Sequence, residues 1–135
     1  MDFDPTRDYP LGTRRPDLVT TPTGVALEQL TLSAAREGLI AGDDLRATAE
    51  TLTRQAEVAR AAGRTQLAEN LERAAELTRV PADELLSVYT ALRPGRSTVE
   101  ELDRWAARLD DHGASRTAAF VREAAATYVE RGLLA

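Results

Sequence analysis

Cysteine and lysine are absent from this chain, and histidine occurs once. Without cysteine there is no disulfide, thiolate nucleophile or cysteine-based metal site, a usage neutral to weakly favourable for a reducing cytoplasm. A single histidine leaves too little to assemble a Ser-His-Asp relay, and none of Ser87, Ser97 and Ser115 sits in a nucleophile-elbow context. Glycine is too dispersed for a phosphate loop, since neither GxGxxG nor GxxxxGK[ST] occurs. Aromatic residues make up only 4% of the chain, so its core must be built from Leu, Val and Ala, which favours packed helices over sheets. No stretch approaches the roughly 18 consecutive apolar residues of a membrane span, and the acidic opening MDFDPTRDYP lacks the apolar centre of a secretory signal. The expectation is a soluble cytoplasmic protein with no membrane partner.

What is present is acid, arginine and alanine. Seventeen arginines face 22 acidic residues, a net charge of -5 that opposes attraction to phosphate backbones and argues against a nucleic-acid partner. The 135 residues suffice for one modest core. Four of the six prolines, Pro5, Pro10, Pro16 and Pro22, fall in the first 24 residues, where each fixes φ and biases its predecessor towards extended geometry. This predicts an extended or turning N-terminal arm, with Phe3, Tyr9, Leu11, Leu18 and Val19 as apolar points that a solvated linker would not need.

Helical signals follow. Thr31 caps a short helix ending at Gly38, and Thr48 caps a longer one with Leu52, Ala56 and Ala59 on one side and Gly63 at its end. From Arg64 to Thr78, the spacing of Leu67, Leu71, Ala74, Ala75 and Thr78 places them on one face, opposite Glu69, Glu72, Arg73 and Glu76. Pro81 opens a helix with Leu85, Val88, Tyr89 and Leu92 as its buried stripe, broken by Arg93-Pro94-Gly95-Arg96. Ser97 and Glu100 match a capping box for the next helix, which carries Leu102, Trp105, Ala106 and Leu109. A last helix over Ser115 to Arg131 buries Ala118, Val121, Ala124, Ala125 and Tyr128. The fold class expected is all-α, a small up-and-down helical bundle over residues 48–135, preceded over 1–47 by a proline-rich arm with a short helix.

No constellation in the chain assembles chemistry. Asp110 and His112 fit part of the Asp-x-His-x-x-Gly signature by which some proteins bind cobalamin, but Ser115 replaces its glycine and the setting is helix to helix rather than strand to helix. An imidazole at the helix end, near the last carbonyls, is the plainer expectation. Glu100 with Glu101 and Asp110 with Asp111 are sequence neighbours that diverge by about 100° on a helix, and read as solvated faces. Trp105 and Tyr128, at helical spacing, read as core.

The order of local stretches resembles the small subunit of adenosylcobalamin-dependent diol and glycerol dehydratases. The likeness is carried by DYPL (Asp8 to Leu11), DLR (Asp44 to Arg46), ETL (Glu50 to Leu52), AGR (Ala62 to Arg64) and ERAAELT (Glu72 to Thr78). It continues through Val80-Pro81, ALRP (Ala91 to Pro94), RST (Arg96 to Thr98), EEL (Glu100 to Leu102), AAFVREAA (Ala118 to Ala125) and YVER (Tyr128 to Arg131). Ala49 departs from a proline and Gly95 from an aromatic residue common in that family. Only seven residues precede DYPL, where some relatives carry an alanine-rich extension associated with a bacterial microcompartment; a free cytoplasmic enzyme is therefore expected.

The resemblance implies large, medium and small subunits, two copies of each, that convert propane-1,2-diol, glycerol or ethane-1,2-diol to an aldehyde and water by a radical route. It implies that substrate and adenosylcobalamin are held by the larger subunits, and that this chain contributes no catalytic, cofactor-binding or metal-binding residue. The arm then has a purpose, because a proline-stiffened segment loses less freedom on docking. Tyr9, Pro10, Leu11 and Leu18 are expected against the large subunit, with Arg93 and Arg96 as polar anchors or as helix-end caps. The competing reading is a stand-alone helical adaptor, against which stand the arm and the lack of a 34-residue tetratricopeptide pattern.

Overall fold

Three threonines set the starts of three helices. In a computed structural model that describes residues 2–135, Thr31, Thr48 and Thr98 each sit in extended geometry and accept, through the side-chain oxygen, from the N–H three residues on. The elements are α1 (Leu11–Arg14), α2 (Leu32–Arg36), α3 (Ala49–Ala61), α4 (Thr65–Leu77), α5 (Ala82–Ala91), α6 (Val99–Asp111) and α7 (Ser115–Arg131). Short 3-10 turns at Pro16–Leu18, Leu27–Gln29 and Gly42–Leu45 accompany them. The fold is all-α. Among the described residues the nearest thing to a strand is an isolated antiparallel bridge between Thr20 and Ala26.

Two compact units divide the chain, Met1–Ala75 and Glu76–Ala135. The boundary expected between residues 47 and 48 falls inside the first of them, where Arg54 of α3 donates to the Leu18 carbonyl at 2.8 Å. Here the sequence-based picture of an extended arm needs correction. Proline favours the first turn of a helix as well as an extended strand, because its missing N–H is unneeded in both. Pro10 caps α1, the Tyr9-Pro10 peptide is cis, and Pro16 opens a 3-10 turn. Asp4 turns the preceding residues by accepting from the N–H groups of Thr6 and Arg7, each at 2.9 Å. The segment is a series of tight turns.

In the same unit Ala56, Ala59 and Ala68 form a small buried cluster with Leu71 against it, and Arg60 of α3 pairs with Glu72 of α4 at 2.7 Å. Leu67, expected in the apolar stripe, is exposed, while Ala68 beside it is fully covered.

The second unit is built on the α6–α7 hairpin. Leu102, Ala106 and Leu109 on α6 meet Ala118, Val121 and Ala125 on α7, spacings of three and four that keep one face of each helix inward. Alanine at 106, 114, 118 and 125 lets the two backbones approach closely. The turn between them needs Gly113, whose φ of 75° is left-handed. Because α7 begins after Ala114, which has no capping oxygen, its free N–H groups are met from elsewhere: the Glu76 carboxylate accepts from the N–H of Arg116 at 3.1 Å and of Thr117 at 3.0 Å. Glu76, assigned by periodicity to a solvated face, thus caps a helix 40 residues away in sequence.

The capping box of α6 is shifted by one residue from the expected pair. Thr98 and Glu101 form it, the Thr98 N–H donating to Glu101 Oε2 at 2.9 Å and the Glu101 N–H to Thr98 Oγ1 at 3.3 Å. Ser97 is buried instead, and its carbonyl accepts from the Ala135 N–H at 3.0 Å.

Candidate functional site

The residues quoted from the N-terminal turns form a polar lock. Asp8 is buried, and Arg7 donates to it through Nε at 2.7 Å and through Nη2 at 2.9 Å, while Arg15 Nη1 donates at 3.2 Å. The Asp4 N–H donates to the same carboxylate at 3.0 Å. Arg7 and then that N–H hold the Asp8 carboxyl far below its ordinary range. Asp44, also buried, accepts from the hydroxyls of Thr23 and Thr21 and from the Ala41 N–H, and these hold its pKa low in the order Thr23, Ala41, Thr21. Two carboxylates therefore order the segment that carries four of the six interface candidates.

Those candidates are distributed unequally. Tyr9 is 57% exposed and Pro10 is exposed beside it. Leu11 is only 7% exposed, held within its own chain, so its surface is already spent on folding and little of it is left for a partner. Leu18 is half-buried. Arg93 and Arg96 lie exposed in the turn between α5 and α6, in the second unit.

That turn is firmly held. Tyr128 Oη donates to the Leu92 carbonyl at 2.5 Å, the Gly95 N–H donates to the Leu133 carbonyl at 2.8 Å, and Ala135 closes onto Ser97. Open grooves of about 390 Å³, lined by Leu86, Ser87, Thr90, Ala91, Arg96 and Ser97, and of about 310 Å³, lined by Ser97, Glu101, Arg104, Trp105 and Arg108, flank it.

A third polar cluster joins α5 to the end of α6. Arg108 makes a two-point bond to Glu84, at 2.8 and 2.7 Å, and His112 Nε2 lies 2.9 Å from Glu84 Oε2. Arg108 first, and His112 second, lower the Glu84 pKa from 4.5 to about 2. The expected role of the His112 side chain near the helix-end carbonyls gives way to this contact, which α5 brings into reach. Among the described residues there is no group of three or more His, Asp or Glu placed to hold a metal ion. With its one imidazole engaged on Glu84 and only open grooves nearby, the residues of this chain do not fit a corrin.

The family model described as dehydratase small subunit matches residues 5–135. The chain belongs to that family. Its membership makes it one subunit of a multi-subunit dehydratase, a hydro-lyase, and so implies partner subunits. The propanediol dehydratase small subunit of Citrobacter freundii is 51% identical over 125 residues, covering 92% of this chain and 73% of that one. The propanediol dehydratase small subunit of Salmonella typhimurium is 50% identical over 125 residues, covering 92% and 72%.

Sequence reasoning missed the exposed apolar pair on α5. Tyr89, placed by periodicity in the buried stripe of α5, is 57% exposed, and Leu86 one turn before it is 68% exposed. The signal was there in Leu85-Leu86 and Val88-Tyr89: two adjacent apolar pairs are more than a single inward face can absorb. The roles of Glu84 and Glu76 left no such signal, because each depends on a partner from a distant helix.

Proposed function

We propose that this chain is the small subunit of an adenosylcobalamin-dependent diol or glycerol dehydratase, which removes water from 1,2-diols such as propane-1,2-diol and glycerol to leave an aldehyde. Two copies each of a large, a medium and this small subunit make up the proposed assembly. Substrate and adenosylcobalamin belong to the larger subunits, and the role of this chain is structural. The observation that carries the reading is identity of about half over 92% of the chain to two propanediol dehydratase small subunits. The adaptor reading loses its ground to the same observation. The proposed setting is the cytoplasm, which suits a cysteine-free chain that asks nothing of an oxidising compartment; among the described residues no helix is long and apolar enough to cross a membrane.

Within the assembly, Tyr9, Pro10 and Leu18 are proposed to face the large subunit, with Arg93 and Arg96 as anchors. Leu11 supports the contact from beneath by holding α1 in place. The test is coexpression with the large and medium subunit genes of the same organism, followed by an aldehyde assay with added adenosylcobalamin. This chain should copurify with the larger subunits, and its omission should lower the yield of active complex. A complex equally active and soluble without it, from which it is also absent when coexpressed, refutes the proposal.

A further inference from the structure

The second unit presents a face that its own fold leaves uncovered. Helix α5 is apolar on both sides: Leu85, Val88, Ala91 and Leu92 pack with the core, while Leu86 and Tyr89 stand outward one turn apart. The Arg93 to Arg96 turn begins four residues after Tyr89, and Arg96 lines the same groove as Leu86 and Thr90. Elsewhere in this unit arginines that reach a carboxylate use it, as Arg108 does Glu84 and Arg122 does Asp110 at 2.7 Å. Arg93 and Arg96 meet none among the described residues, and Tyr128, Leu133 and Ala135 hold the turn that carries them. Such a turn loses little freedom on binding, and Tyr and Arg are the residue types that dominate interface energies. Asp83 stands exposed at the opposite end of α5, so the face runs from acidic to basic and favours one orientation of whatever covers it.

We infer that the outer face of α5, centred on Leu86 and Tyr89 and edged by Arg93 and Arg96, docks the large dehydratase subunit through an apolar patch flanked by Asp or Glu. The inference rests on the proposed function and locates the contact that reading requires. A second copy of this chain is the poorer occupant, because a twofold contact through the same patch would set Asp83 of one copy against both Arg93 and Arg96 of the other, one carboxylate for two arginines at each end. Nucleic acid and anionic lipid are opposed by the net charge of -5.

The experiment uses the coexpressed complex, captured by a tag on the large subunit. Leu86→Asp with Tyr89→Asp should cut the recovered small subunit at least about tenfold, as expected for loss of a central anchor. Arg93→Glu with Arg96→Glu should cut it at least about threefold and reduce the sensitivity of the wild-type contact to salt. Leu39→Asp, at a residue 67% exposed in the first unit, should copurify like the wild type. Circular dichroism of the purified variants checks that each keeps its helices, and Tyr89→Ala gives a milder variant should the aspartates perturb α5. Recovery of both double variants at the wild-type level overturns the inference while leaving the proposed function standing. A purified small subunit that dimerises, and is made monomeric by Tyr89→Asp, also overturns it by showing a second copy on the face. If the wild-type chain itself fails to copurify, the proposed function falls and the docking face with it.

Discussion

Replacing Leu109 by Ala should destabilise the second unit more than most single truncations in this chain. Leu109 is 1% exposed, on α6 opposite the alanine face of α7, where the fixed backbones of a close-packed hairpin have little room to collapse into a void. Three carbon groups leave, at about 0.8 kcal/mol each. The cavity left behind raises the total to about 3 to 4 kcal/mol. For a unit of this size the whole stability is only about 3 to 9 kcal/mol, so the loss takes a third or more of it. Trp105 is the one tryptophan, and it packs on the same core, so its fluorescence reports this unit. With a urea slope of about 1.5 kcal/mol per M, the midpoint should fall by about 2 M. Leu86→Ala, on the exposed side of α5, should move it by less than about 0.3 M. A Leu109→Ala shift below about 0.5 M, with the slope unchanged, would refute the account of where the core lies.

The capping register gives a second expectation: Thr98→Ala should cost about 1 kcal/mol in urea unfolding and Ser97→Ala clearly less, and the reverse order would restore the box at Ser97 and Glu100. A third concerns acid. Glu84 has its pKa lowered from 4.5 to about 2 by Arg108 and His112, so its stabilising contribution is complete above pH 4.5 and drains away as pH falls towards 2. Urea midpoints at pH 7 and pH 3 should therefore differ more in the wild type than in Glu84→Gln; equal differences would show that Glu84 is not linked to folding.

The all-α class and the approximate ends of the helices were legible in the residues. These depend on interactions reaching three or four positions along one helix: a threonine to the third N–H after it, a glycine entering left-handed geometry, alanine and leucine recurring on one side. Resemblance over short collinear stretches led to the family, which no physical feature of the chain alone would have specified. Other properties were decided only when distant segments met. Proline permits a turn or a strand, and the carboxylates of Asp8 and Asp44, reaching Arg15 and Thr21, tie the N-terminal segment into turns, within which Leu11 is buried. Glu76 became a cap and Glu84 an ion-pair hub because other helices brought donors to them. Tyr89 faces outward because α6 and α7 offer α5 only one side to bury, and a periodic pattern cannot say how many neighbours a helix will have.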